Sequence, residues 1–177
     1  MQSSQPISTA RLNLWLFLAG FATFALHEAA HFMAGLALGY DMSARLNGVS
    51  SLTPASATHK AIIDAAGPLI TIAQAVVTFI LVRRFKLSVA FAFLYFAAFM
   101  RLLATGVSAF NLNDEARLSV YFGLGAWTVP IVVSLGLMLL AWRGSQSLAL
   151  TWRQHGLCYL TASVTVTVIV GLDRMLF

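Results

Sequence analysis

About five apolar runs of roughly 18 residues dominate this chain, at residues 12–39, 61–82, 87–110, 118–142 and 156–172. A run of that length crosses about 30 Å of hydrocarbon as a helix, and a helix satisfies its own backbone hydrogen bonds, as lipid requires. Short polar linkers such as "RRFK", "NLNDEAR" and "RGSQSLALTWRQH" separate the runs. The last run contains "LTASVTVTVIV", rich in β-branched residues that favour strands in water. Its length within a helical membrane chain makes it a helix instead. The expected fold is all-α: a polytopic membrane protein of about five transmembrane helices, forming one integral membrane domain over residues 1–177. The opening "MQSSQPISTAR" and the apolar stretch behind it have the look of a signal peptide. The apolar pattern outruns the usual length of such a segment, so it reads as a retained first span.

Charge content supports this and excludes other classes. Only 10% of residues are charged, against about 25% in soluble domains. Eleven basic residues against six acidic give a net charge of +5, and the basic ones sit mostly between apolar runs, as juxtamembrane anchors do. They form no stripe, which argues against nucleic acid as a partner. Cys158 is the only cysteine, so no intrachain disulfide forms, and it reads as a small apolar residue within a span.

The first run is interrupted by "FALHEAAHFMAG", residues 24–35. Ionisable groups near the centre of a membrane helix cost up to about 2.5–3.5 kcal/mol each to insert, and they mark functional sites. His27 and His31 lie one turn apart on one helix face, where two imidazoles can hold a single zinc ion. Glu28 lies about 100° further round the helix, beside the ion, placed to take a proton from a zinc-bound water. The competing reading is a histidine pair hydrogen-bonded to neighbouring helices. Gly20, Gly35 and Gly39 fall near the same stripe and mark a face where other helices approach closely.

A catalytic zinc takes three protein ligands and keeps one position open. Alternating spans put the end of the first, the start of the second and the end of the third on one side of the membrane. Asp114, just past the third span, is the leading third ligand. Glu115 is its nearest substitute. Asp64 is a further option, though better read as a cap for the second helix. The loop residues His59 and Asp41 have weaker claims, and His155 belongs to the opposite side. Asp114 also has a plain reading as a solvated loop carboxylate or the N-cap of the fourth span. In "DAAGPLI", residues 64–70, Gly67 and Pro68 either loosen backbone bonding beside a cavity or sit harmlessly in the first turns of a helix. Arg101, within the third span, is expected to snorkel or to pair with a carboxylate.

"HEAAH" in the first span, "AAGP" opening the second and an aspartate after the third resemble the site-2 protease family of intramembrane zinc metalloproteases. The resemblance covers residues 12–118, with further helices over 118–177. It implies a three-helix catalytic core that cleaves transmembrane segments of other membrane proteins, with His27, His31 and Asp114 as ligands of one Zn2+ per chain and Glu28 as general base. It departs from the family pattern where "LNDEA" replaces an aspartate followed by glycine, and where the family's asparagine–proline spacing is absent. The resemblance is to a minimal catalytic core, expected to work without the regulatory domains that many relatives carry.

The expected activity is peptide-bond hydrolysis by zinc-activated water. The expected partners are a transmembrane protein or peptide substrate, the lipid bilayer, and a membrane-protein partner or second copy. The expected location is a bacterial cytoplasmic membrane. The rival expectations are a non-catalytic zinc-binding membrane scaffold and a small proton or metal transporter. Orientation stays open. Six basic residues (Arg11, Arg83, Arg84, Lys86, Arg143, Arg153) against four (Arg45, Lys60, Arg117, Arg174) put the N-terminus in the cytoplasm, whereas relatives hold their site nearer that side.

Overall fold

The computed structural model describes residues 8–177. Residues 1–7, the start of the opening "MQSSQPISTAR", lie outside the described residues. In chain order the elements are α1 (Thr9–Ala37), β1 (Met42–Arg45), β2 (Gly48–Ser51), α2 (Ala57–Phe85), α3 (Ser88–Val107), α4 (Asp114–Tyr121), α5 (Thr128–Ser147) and α6 (Trp152–Leu176). Helices α1, α2, α3, α5 and α6 are each long and apolar enough to cross a membrane. The one sheet among the described residues has two strands, so the fold is an all-α polytopic bundle.

The long helices alternate in direction, and their ends are tied in two groups. At one end Gln154 Nε2 donates to Thr9 Oγ1, and Arg83 Nη1 donates to Ser147 Oγ at 3.1 Å. At the other, the backbone N–H of Asn47 donates to Asp173 Oδ1 at 3.2 Å, fastening the strand pair to the end of α6. Helix α3 is central and packs against α1, α2 and α5, with Phe91, Leu94 and Phe96 fully buried. Lipid gives apolar side chains little reason to leave it, so close packing of small residues decides how these helices meet. A methyl group at Gly20 would overlap Phe96 and Thr165, and one at Gly144 would overlap Leu94. Gly39, expected on the buried stripe, is exposed past the end of α1, with φ +84°. A polar tie crosses the bundle where Gln74 Nε2 donates to Thr23 Oγ1 at 2.9 Å and to Phe93 O at 3.1 Å, joining α1, α2 and α3.

Three features depart from the sequence reading, and each shapes the functional end. The linker after α1, expected as a loop, holds an antiparallel hairpin in which Arg45 pairs with Gly48 across a two-residue turn. The fourth span does not start at residue 118. Asn113 caps the short helix α4, its Oδ1 accepting the Ala116 N–H at 2.8 Å. Gly123 and Gly125 then take left-handed conformations, and α5 begins only at Thr128. Pro130 is the third residue of α5, where a missing N–H leaves nothing unpaired. Helix α2 begins at Ala57, capped by Ser56, so Pro68 lies well inside it rather than in its first turns. The Pro68 ring removes the donor that the Asp64 carbonyl would otherwise receive.

Candidate metal centre

Helix α1 buries His27 and His31, which are 2% and 6% exposed. Helix α2 holds the outer nitrogen of each ring. His31 Nδ1–H donates to the Ile63 carbonyl at 2.6 Å. Thr71 spends its own hydroxyl proton on Gly67 O at 3.0 Å, so its oxygen accepts from His27 Nδ1–H, also at 3.0 Å. Each neutral ring therefore carries its proton on Nδ1 and turns a bare Nε2 lone pair inward. The two Nε2 atoms stand 3.1 Å apart.

Asp114 completes the triangle. Its Oδ2 lies 3.1 Å from His27 Nε2 and 3.4 Å from His31 Nε2. Three electron-rich atoms facing one another at these distances repel unless a cation lies among them. Zinc bonds to nitrogen or oxygen of about 2.0–2.1 Å in tetrahedral geometry would space ligand atoms about 3.3 Å apart. The observed triangle fits that spacing. Gly67 makes room for it, because a methyl group there would overlap the Nε2 atoms of both rings. Among the described residues, His27, His31 and Asp114 are the one group of potential ligands able to hold a metal ion.

Asp114 is held by its neighbours rather than left in a solvated loop. Asn113, not Asp114, is the N-cap of α4, which places Asp114 on the first turn. Arg117 Nη2 donates to Asp114 Oδ1 at 2.6 Å, leaving Oδ2 for the imidazoles. The same guanidinium grips both oxygens of Asp64, at 2.9 and 2.8 Å, and donates through Nη1 to Leu112 O at 2.8 Å. Burial alone would pull Arg117 down. Its bonds to Asp64 and the Asp114 charge reverse this and raise it.

The other candidates stand elsewhere. Glu115 turns away from the triangle, and Arg101 Nη1 donates to its Oε1 at 2.9 Å, so Arg101 is paired with a carboxylate as expected. Asp64 lies inside α2, bound to Arg117, and caps nothing. His59 Nδ1 is bonded to Tyr40 Oη at 2.9 Å. His155 packs against Trp142 and Trp152 at the opposite end of the bundle, and Asp41 is not in the ligand group.

Glu28 is half-buried beside the triangle. It stands in the wall of a cavity of about 470 Å³ that the three ligand candidates, Arg101 and Asn113 also line. On its other side lies an apolar cleft of about 490 Å³, walled by Phe21, Phe32, Met33 and Ile169. Comparison with protein-family models, curated proteins and solved structures returns no match.

Carboxylates and cations crowd together around the triangle. Glu28, Asp64, Asp114 and Glu115 face two buried or half-buried cations, Arg101 and Arg117. Lys60, its side chain 57% exposed, also pairs with Asp64 at 3.5 Å. Thr71 and Arg117, which orient two of the ligand candidates, were not singled out from the sequence. A signal was present for each: Thr71 lies one turn after Gly67, and Arg117 lies three residues after Asp114.

Proposed function

We propose that this protein is an intramembrane zinc metalloprotease of site-2 protease type, cutting peptide bonds in transmembrane segments of other membrane proteins. The observation that carries the reading is the convergence of His27 Nε2, His31 Nε2 and Asp114 Oδ2 beside Glu28, in a cavity among membrane-length helices. A zinc ion bound there supplies a water of near-neutral pKa and polarises the scissile carbonyl.

Glu28 takes the proton of the attacking water and delivers it to the departing amine nitrogen. His27 and His31 keep their geometry because Thr71 and Ile63 fix the outer nitrogens. Arg117 keeps Asp114 turned toward the rings. The apolar cleft on the far side of Glu28 offers an unwound substrate segment a dry approach to the cavity. By the same resemblance the protein works in a bacterial cytoplasmic membrane.

The test is zinc content and cleavage measured together. Purified wild-type protein should hold one zinc per chain, and His27→Ala should hold none. Glu28→Gln should keep its zinc and lose cleavage of reconstituted transmembrane substrates. A Glu28→Gln protein that cleaves as well as wild type would exclude Glu28 as general base. Wild-type protein that folds without stoichiometric zinc would sink the whole reading.

A further inference from the structure

We propose that Arg101 is a catalytic residue in this site, donating a hydrogen bond to the oxygen of the scissile carbonyl as that oxygen gains negative charge. This inference rests on the hydrolase reading above.

Three buried side-chain atoms among the described residues lack a hydrogen-bond partner: Arg101 Nε, Asn113 Nδ2 and Glu115 Oε2. Buried polar groups are nearly always satisfied, so such atoms call for an explanation. Here all three belong to one corner of the molecule. Arg101 and Asn113 line the cavity that holds the three ligand candidates and Glu28. Arg101 is 3% exposed and lies within a membrane-length helix, a costly place for a guanidinium.

Pairing with Glu115 compensates its charge but does not use all of its donors. That ion pair uses Nη1 alone, at 2.9 Å, and Nη1 also lies 3.8 Å from Asp114 Oδ2, one of the three ligand candidates. A guanidinium offers five N–H donors in a fixed fork, and Arg101 Nε has no partner. Arg117 is otherwise employed, each of its nitrogens being bonded to protein oxygens. Arg101 is the cation left with capacity for a substrate.

In the reaction, the water oxygen bonds to the carbonyl carbon and its proton passes to Glu28. The carbonyl oxygen then carries the charge that Arg101 meets. Collapse breaks the carbon–nitrogen bond, and the proton on Glu28 moves to the amine. Preorganised donors aimed at such an oxygen typically contribute about 100- to 1,000-fold in rate.

The test uses zinc-loaded full-length protein in lipid nanodiscs and two probes. One is a phosphonamidate analogue of an apolar dipeptide, whose phosphorus-bound oxygen mimics the charged oxygen. The other is a dipeptide hydroxamate, a chelator with no tetrahedral oxyanion. Arg101→Lys keeps the charge and the pairing with Glu115 but loses the fork. It should retain one zinc per chain, lose about 100-fold in phosphonamidate affinity and bind hydroxamate nearly as wild type does. Should that variant fail to fold, the double variant R101Q/E115Q, which removes both charges together, carries the same expectation.

Equal phosphonamidate affinity in variant and wild type, with zinc bound in both, overturns the proposal. So does loss of zinc from the variant, which would make Arg101 a support for Asp114 only. Zinc-loaded wild type that ignores the phosphonamidate overturns the hydrolase reading and this inference with it.

Discussion

At the scale of single residues, the site depends as much on what is missing as on what is present. Gly67 has no side chain where both imidazoles point, so Gly67→Ala should abolish zinc retention while leaving α2 helical. Metal analysis alongside circular dichroism checks this, and a fully zinc-loaded variant would contradict it. Thr71 acts one step out, as acceptor for His27 Nδ1–H. Partners of that kind typically contribute about 10- to 100-fold in metal affinity, so Thr71→Val should weaken zinc binding by that factor in a competition titration with a chelator. His27, Glu28 and His31 were legible in the sequence because a helix turns their spacing directly into geometry. Thr71 and Arg117 were not, because their roles depend on which helix faces which. Asp64 was misjudged for a related reason. A carboxylate near a helix start reads as a cap, whereas the partner that claims it lies 53 residues further along the chain.

At the scale of elements, α4 is the part that brings the third ligand candidate to the other two. It is eight residues long and owes its position to the Asn113 cap, the Arg101–Glu115 pair and the Arg117 bridge to Asp64. Removing one partner of a buried ion pair typically costs about 3–5 kcal/mol, because the other charge is left without compensation. Glu115→Ala should therefore lower the unfolding temperature clearly, in a scan at fixed zinc concentration. Glu115 is not a ligand candidate, so zinc stoichiometry in the fraction that folds should remain one. The five spans were legible from apolar run length, which bilayer thickness fixes. The hairpin and the separation of α4 from α5 were not read, because length and hydropathy carry no record of them. Their signals were local and chemical: Asn47-Gly48 for the turn, Asn113 for the cap, and Gly123 with Gly125 for the break.

At the scale of the whole molecule, the basic residues divide between the two ends of the bundle. Arg11, Arg83, Arg84, Lys86, Arg143 and Arg153 go with the end where α1 and α6 begin. Arg45, Lys60 and Arg174 go with the metal-site end. Arg117 also lies there, but its charge is committed to Asp64 and Asp114. Removing it from the count sharpens the bias, and the rule that cytoplasmic loops carry more Lys and Arg then predicts a cytoplasmic N-terminus and an outward-facing site. Leu52 is 68% exposed on the site side, so a Leu52→Cys variant should react with a membrane-impermeant maleimide added to intact cells. Labelling only after lysis would reverse the assignment.

His27 and Asp114 are 87 positions apart, and α2 and α3 lie between them. Translation therefore delivers the two imidazoles to the bilayer long before the carboxylate that joins them has been made. Until α4 folds against α2, a nascent chain has nowhere to keep an ion. On the zinc reading, insertion comes first and loading last, and a polypeptide halted ahead of residue 114 would thread into the membrane with its ligand triangle incomplete.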